Sequence, residues 1–207
     1  MLLFPLRLVE SQENLRGILK RVKSFGIREL FIVGGDTQTP AGPFANSFEL
    51  VRTVRDIDAD IRLGITAYPD GHPSISNELL LEDLTCKAPY AQFMSTQLCF
   101  DANKISQWLG QVRGQGITLP VQIGIAGVVD IIKLTQIATR IGVGDSVRYL
   151  SKHAGTVFKL LGGYKPDEIL TNESSNIAGF HIYTFNQLEK TERWRKDTLQ
   201  KLGSQSL

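Results

Sequence analysis

The chain of 207 residues carries 23 Lys and Arg against 21 Asp and Glu, a formal charge of +2 at neutral pH. With 42% hydrophobic and 21% charged residues, it reads as a soluble globular protein, and the balance excludes a polybasic nucleic-acid binder, an acidic tail, a disordered chain and a collagen-like one. The apolar opening Met1–Leu6 lacks a basic leader and is far shorter than the roughly 20 residues a membrane span needs, so neither a signal peptide nor an anchor is expected.

Apolar strand-like runs alternate with loops of Gly, Pro or Asp and with amphipathic helices about every 30 residues, the pattern of a parallel α/β sheet. In chain order, a weak strand is predicted at Leu6–Val9, then a helix from Ser11 to Lys23 with Leu15, Ile18, Leu19 and Val22 on one face. Stronger strands follow at Glu29–Val33, Arg62–Ala67, Phe93–Gln97, Val121–Ile125 and Gly179–Thr184, giving six. Helices are predicted between them at Asn46–Arg55, Ile75–Lys87, Asn103–Arg113 and Asp130–Arg140, and Gly26, Gly116 and Gly142 stand where a helix end favours glycine. From Gly144 a helical insertion is expected before the sixth strand, and after it a charged helix at Glu189–Leu202 with a frayed tail from Gly203. No linker or low-complexity tract interrupts the chain, so residues 1–207 are expected to form one domain. Cys86 and Cys99 have no CxxC spacing and make no disulfide framework, which fits a reducing cytoplasm.

Ligands of parallel α/β folds bind at the carboxyl ends of the strands, so the residues there are the ones to question. Gly34-Gly35-Asp36 offers close backbone approach and a carboxylate for sugar hydroxyls; the alternative is a turn with an Asp cap. Tyr68 and His72 lie on a loop stiffened by Pro69 and Pro73 and could bring an aromatic face and an imidazole to a ligand, although a histidine after a strand is more often structural. Gln97 ends an apolar strand, where a buried amide costs a few kcal/mol unless a ligand or a backbone group bonds it. Asp36, His72 and Asp101 could in principle share a metal, but Asp101 reads better as the cap of the next helix, and no metal is expected. His181 reads as an ordinary strand histidine. Gly142-Val-Gly144 follows a helix and lacks a third glycine, and no Walker loop, GxSxG or HExxH is present.

Taken together, Gly34-Gly-Asp36, Ala67-Tyr-Pro-Asp-Gly-His-Pro73, Thr96-Gln97 with Phe100-Asp101, and Phe180-His-Ile-Tyr-Thr-Phe-Asn186 resemble the methylenetetrahydrofolate reductase family in order and spacing, and Asn14–Asp36 is similar to its helix and strand before the Gly-Asp turn. The resemblance implies a TIM-type (β/α)8 barrel, here incomplete with about six parallel strands, because 207 residues fall short of the about 250 of a typical barrel. It implies FAD at the carboxyl ends of the strands, NAD(P)H as co-substrate, and interconversion of 5,10-methylenetetrahydrofolate and 5-methyltetrahydrofolate. By motif, Gly35, Asp36, Phe44, Ala45, Tyr68, His72 and Lys87 match flavin-binding positions, and Gln97 matches the glutamine that helps bind folate.

The chain departs from the family pattern at Gly34, where a basic residue is usual, and at Gln187, where an arginine helps place substrate. The family's acid catalyst is a glutamate on its first barrel strand, and nothing before Leu6 matches it, so no catalytic residue is assigned. The alternative expectation is therefore a catalytically impaired flavin- or folate-binding remnant. Such a chain would act as a homo-oligomer or with a partner that completes the barrel, an open sheet edge being a liability.

Overall fold

A computed structural model describes residues 1–5, 9–34, 42–129, 131–141 and 177–205. Six strands form a single parallel sheet in the order β1-β2-β3-β4-β5-β6. Strands β2 (Glu29–Val33) and β3 (Arg62–Ala67) have the expected bounds. Strands β4 (Phe93–Leu98) and β5 (Val121–Ala126) each run one residue further, and β6 (Gly179–Tyr183) ends one residue earlier. The first described strand, β1, forms at Leu2–Pro5, ahead of the expected Leu6–Val9. In that register Phe4 meets Ile32 and Pro5 meets Val33, so Leu2-Leu3-Phe4 supplies the apolar stretch, and a proline is tolerated because an edge strand has one bonded side. Residues 6–8 lie outside the described residues, and Val9 is buried.

Each helix begins where a side chain can take up an orphan backbone N–H. Ser11 caps α1 (Gln12–Ser24), Asn46 caps α2 (Ser47–Ile57), Ser76 caps α3 (Asn77–Lys87) and Asp101 caps α4 (Ala102–Gly114). Asp101 Oδ1 accepts from the N–H groups of Asn103 and Lys104 at 2.9 and 3.3 Å, the capping role its position suggested. Gly26 and Gly116 adopt φ of 73° and 78° just past α1 and α4. Helix α5 covers Ile131–Arg140. Helix α6 covers Leu188–Gln205, so Gly203 continues the helix where a frayed tail was expected. The insertion expected from Gly144, together with Gly142 and Asp130, lies outside the described residues.

Strand side chains alternate between two faces. One set, including Leu30, Ile32, Leu63, Ile65, Met94, Ile123 and Ile125, packs under Leu15, Leu19, Leu50, Val54, Leu109 and Val112 of the helices in one continuous core. Each such fully buried aliphatic side chain contributes roughly 1.5–3 kcal/mol. The other set lines the concave face. There the rings of Phe31 on β2 and His181 on β6 lie 5.7 Å apart, although four strand spacings of about 4.8 Å separate such strands in a flat sheet. The sheet is therefore strongly curled, a half-barrel of α/β type whose edge strands β1 and β6 each pair with one neighbour among the described residues.

Candidate functional site

The curl encloses a cavity of about 390 Å³ lined by Met1, Leu3, Phe31, Val33, Thr66, Tyr68, Gln97, His181 and Tyr183. That volume suits one conjugated ring system, and the lining follows the usual recipe of aromatic walls with a few placed polar groups. Phe31 in its wall is backed by Phe93, whose ring stacks beside it with centroids 6.5 Å apart. Gly64 makes room for that ring, since a Cβ there would stand 2.1 Å from Phe93 Cζ.

The loop after β3 forms one rim of the cavity. Tyr68 meets the His72 ring edge-on at 5.5 Å, and His72 Nδ1 lies 3.3 Å from the Ser74 N–H and 3.2 Å from Ser74 Oγ. The Asp70 carboxylate, 1% exposed, binds Lys104 Nζ of α4 at 2.5 Å and pins the loop to the helix layer. His72 thus braces Tyr68 from behind, while Tyr68 itself lines the cavity.

The neighbouring part of the rim is built on an irregularity in β4, where the register with β5 shifts between Ser95 and Leu98. Gln97 sits inside that shift and lines the cavity, and its Oε1 accepts from the Leu98 N–H at 3.0 Å. A backbone group therefore occupies one lone pair of the amide carbonyl, and the NH2 half makes no hydrogen bond among the described residues. Tyr183 crosses β5 to donate its phenolic O–H to the Thr96 carbonyl at 3.1 Å. Burial, then the negative field of an ionised Tyr68, pushes the Tyr183 phenol up to about 12, so it stays protonated and donating at neutral pH. Burial alone holds the His181 imidazole below its ordinary value, favouring the neutral ring against Phe31 and Tyr183. Past β6, Phe185 and Asn186 take left-handed φ of 48° and 62°. Asparagine tolerates that region better than phenylalanine, so the backbone just past β6 is strained at Phe185.

Of the sequence-predicted residues, the structure brings Tyr68 and Gln97 together in the cavity wall with His72 behind. Phe44, Ala45 and Lys87 belong to a second group at the start of α2. Phe44 is buried, the Ala45 N–H donates to Glu49 Oε2 at 2.8 Å, and Lys87 Nζ reaches Ser47 Oγ at 3.3 Å. Lys87 is 2% exposed, and its ammonium also pairs with Asp83. The ion pair is therefore built into the packing of α2 on α3. Ser47 lies against Gly34 at the end of β2, while Gly35 and Asp36 fall outside the described residues. His181 and Tyr183 are cavity residues that belong to the Phe180–Asn186 motif but to which the sequence assigned no binding role. Their signal is the two-residue alternation in Phe180-His-Ile-Tyr183, which puts both on one face of β6.

Among the described residues no three His, Cys, Asp or Glu side chains gather as a metal site, no carboxylate lines the cavity, and no helix is long and apolar enough to cross a membrane.

Comparison with known proteins gives a consistent result. The family model for methylenetetrahydrofolate reductase matches residues 8–196. The chain is 29% identical over 125 residues to methylenetetrahydrofolate reductase 1 of Schizosaccharomyces pombe, covering 56% of this chain and 21% of that protein. It is 25% identical over 185 residues to a Caenorhabditis elegans protein described as a probable methylenetetrahydrofolate reductase (NADPH), covering 82% of this chain and 28% of that one. It is 30% identical over 89 residues to methylenetetrahydrofolate reductase 2 of Saccharomyces cerevisiae, covering 41% and 15% respectively. The matches thus span less than a third of the length of these relatives.

Proposed function

The chain belongs to the methylenetetrahydrofolate reductase family, and on that premise we propose that it is an FAD-dependent oxidoreductase of folate one-carbon metabolism. It interconverts 5,10-methylenetetrahydrofolate and 5-methyltetrahydrofolate with NAD(P)H as co-substrate, in the cytoplasm. The observation that carries the reading is the cavity, with Phe31, Tyr68, His181 and Tyr183 around it and the Gln97 amide at its rim. Aromatic walls suit a flat conjugated ring, and both a flavin and a pterin present one. When bound, FAD would supply hydride transfer between the nicotinamide and the folate methylene group, chemistry that no side chain offers.

The protein's own part is positioning. Tyr68, braced by His72 and by the Asp70–Lys104 pair, gives a fixed aromatic face. Gly35, Asp36, Phe44, Ala45 and Lys87 are proposed as the remaining flavin contacts, the last three grouped at the start of α2. Gln97 orients the folate. The apolar walls exclude water from the reacting face. NADPH stands in the description of the C. elegans relative and is the first nicotinamide cofactor to try.

A second reading is binding without turnover, with another strand-bearing chain or a second copy completing the barrel. It is favoured by Leu3, 56% exposed on the edge strand beside the cavity, and by a cavity wall without a carboxylate among the described residues. Anaerobic mixing of the FAD-loaded protein with NADPH, then with 5,10-methylenetetrahydrofolate, separates the two. Flavin bleaching followed by reoxidation supports the enzyme, and a flavin that is bound but never reduced supports the second reading.

A further inference from the structure

The β4 irregularity carries more than a folate contact. Gly124 N–H donates to Thr96 Oγ1 at 2.8 Å, and the Tyr183 O–H donates to the Thr96 carbonyl at 3.1 Å. One residue of β4 is thereby tied to both β5 and β6. The tie needs a glycine at position 124, where a Cβ would stand 2.2 Å from Thr96 O and 2.9 Å from Tyr183 Cε2. The next residue is Gln97, lying where the β4–β5 register slips, its Oε1 turned back onto the Leu98 N–H. Without the tie, the slipped segment has fewer ladder bonds to hold it than the rest of the strand.

We infer that Tyr183, with Gly124 and Thr96, is a positioning residue that locks the Gln97 carboxamide with its NH2 toward the cavity. The group Gln97 turns to the cavity is then its NH2, a pair of donors, so the ligand atom it meets is a hydrogen-bond acceptor, such as a ring carbonyl or imino nitrogen. Discrimination follows, because a ligand presenting a donor there leaves two buried donors facing each other. Tyr183 acts through Gln97, at the far end of a chain of bonds that runs Tyr183, Thr96, Gln97 and Leu98.

The inference rests on the reading of the cavity as a folate and flavin site, and two arms of one experiment keep the two apart. The first arm needs no ligand: amide hydrogen exchange is followed by NMR in the full chain, in Y183F and in Q97A. Faster exchange at Leu98 is expected in both variants, by about tenfold for each 1.4 kcal/mol of lost closure, with Ile65 and Ile123 unchanged. An unchanged Leu98 in Y183F overturns the inference, whatever the protein binds. The second arm measures affinity for 5-methyltetrahydrofolate and for FAD in the same variants and in the double variant. Q97A is expected to weaken folate by about tenfold, the equivalent of one hydrogen bond. Y183F should weaken it by about threefold, and in the Q97A background by nothing further, since residues that act as one unit are not additive. Effects that multiply, or a loss of FAD affinity equal to the loss of folate affinity in Y183F, make Tyr183 a general scaffold residue and overturn the inference. A wild-type chain that binds neither ligand while Leu98 behaves as expected overturns the reading of the site and leaves the lock standing.

Discussion

Gly64→Ala should damage the protein through a single ring. An alanine Cβ at that position stands 2.1 Å from Phe93 Cζ and 2.3 Å from Phe93 Cε2, where carbon atoms need about 3.5–4.0 Å. The ring must retreat by roughly 1.5 Å to restore contact distance. It has little space to do so, being 2% exposed, stacked beside Phe31 and covered by the Arg62 guanidinium 5.8 Å from its centroid. Overpacking of this kind costs about 1–3 kcal/mol, and for a chain of this length each kcal/mol lowers the melting temperature by roughly 2–4 °C. Phe93→Leu alone leaves a partial void and costs about 1–2 kcal/mol. In the double variant the shorter side chain makes room for the new methyl group, so the combined cost should fall at least about 1 kcal/mol below the sum. Urea unfolding of the four proteins, followed by circular dichroism, measures the coupling. Costs that add within about 0.5 kcal/mol, or a neutral Gly64→Ala, would show that the Phe93 ring does not fill the space over Gly64. The packing of Phe93 behind the Phe31 wall of the cavity would then be wrong.

Three further outcomes follow from the geometry. Asp70→Asn removes the buried partner of Lys104 and should cost about 1–3 kcal/mol in urea unfolding, since one side of the pair is solvent-accessible; FAD affinity should fall with it as the Tyr68 loop loosens. Burial lowers the His181 pKa, so as pH drops below the ordinary value of 6.5 the unfolded chain takes up this proton before the native one does. Stability should therefore be lost on acidification from that pH, and His181→Phe should flatten the decline between pH 7.5 and 5.5; an identical slope in the variant contradicts the buried neutral ring. Tyr183 runs the other way: its protonated phenol is equally present in both states below pH 10, and stability is lost as pH rises from 10 through about 12. Tyr183→Phe should remove that share of the alkaline loss, read from melting temperatures across the interval.

Much of the fold is written in apolar runs and caps. Glu29–Val33 and Arg62–Ala67 form strands with the bounds their composition suggests, and Ser11, Asn46 and Asp101 each cap the helix that follows. The sheet recruits the apolar Leu2-Leu-Phe4, ahead of the alternating Leu6-Arg-Leu-Val9, of which residues 6–8 lie outside the described residues. Curl is a tertiary property. It depends on Gly64 and Gly124 giving up side-chain volume opposite Phe93 and Tyr183, a complementarity between residues roughly 30 to 60 positions apart that no local pattern displays. Gln97 was legible because an amide at the end of an apolar strand needs a reason, and the reason proved partly internal, at the Leu98 N–H. His181 and Tyr183 were hidden by their chemistry, because aromatic residues in a strand read as ordinary core. Lys87 was matched to a flavin-binding position by motif alone, and only packing reveals it buried between Asp83 and Ser47.

The most direct measurement is flavin uptake in the cavity. Purified protein is incubated with FAD and passed through gel filtration, and the protein peak is examined for flavin absorbance before and after anaerobic addition of NADPH. The expected result is a yellow peak that NADPH bleaches, with uptake weakened when Tyr68 is replaced by alanine. A colourless peak from a folded protein, or uptake indifferent to Tyr68, would contradict the assignment of the half-barrel cavity as a flavin site.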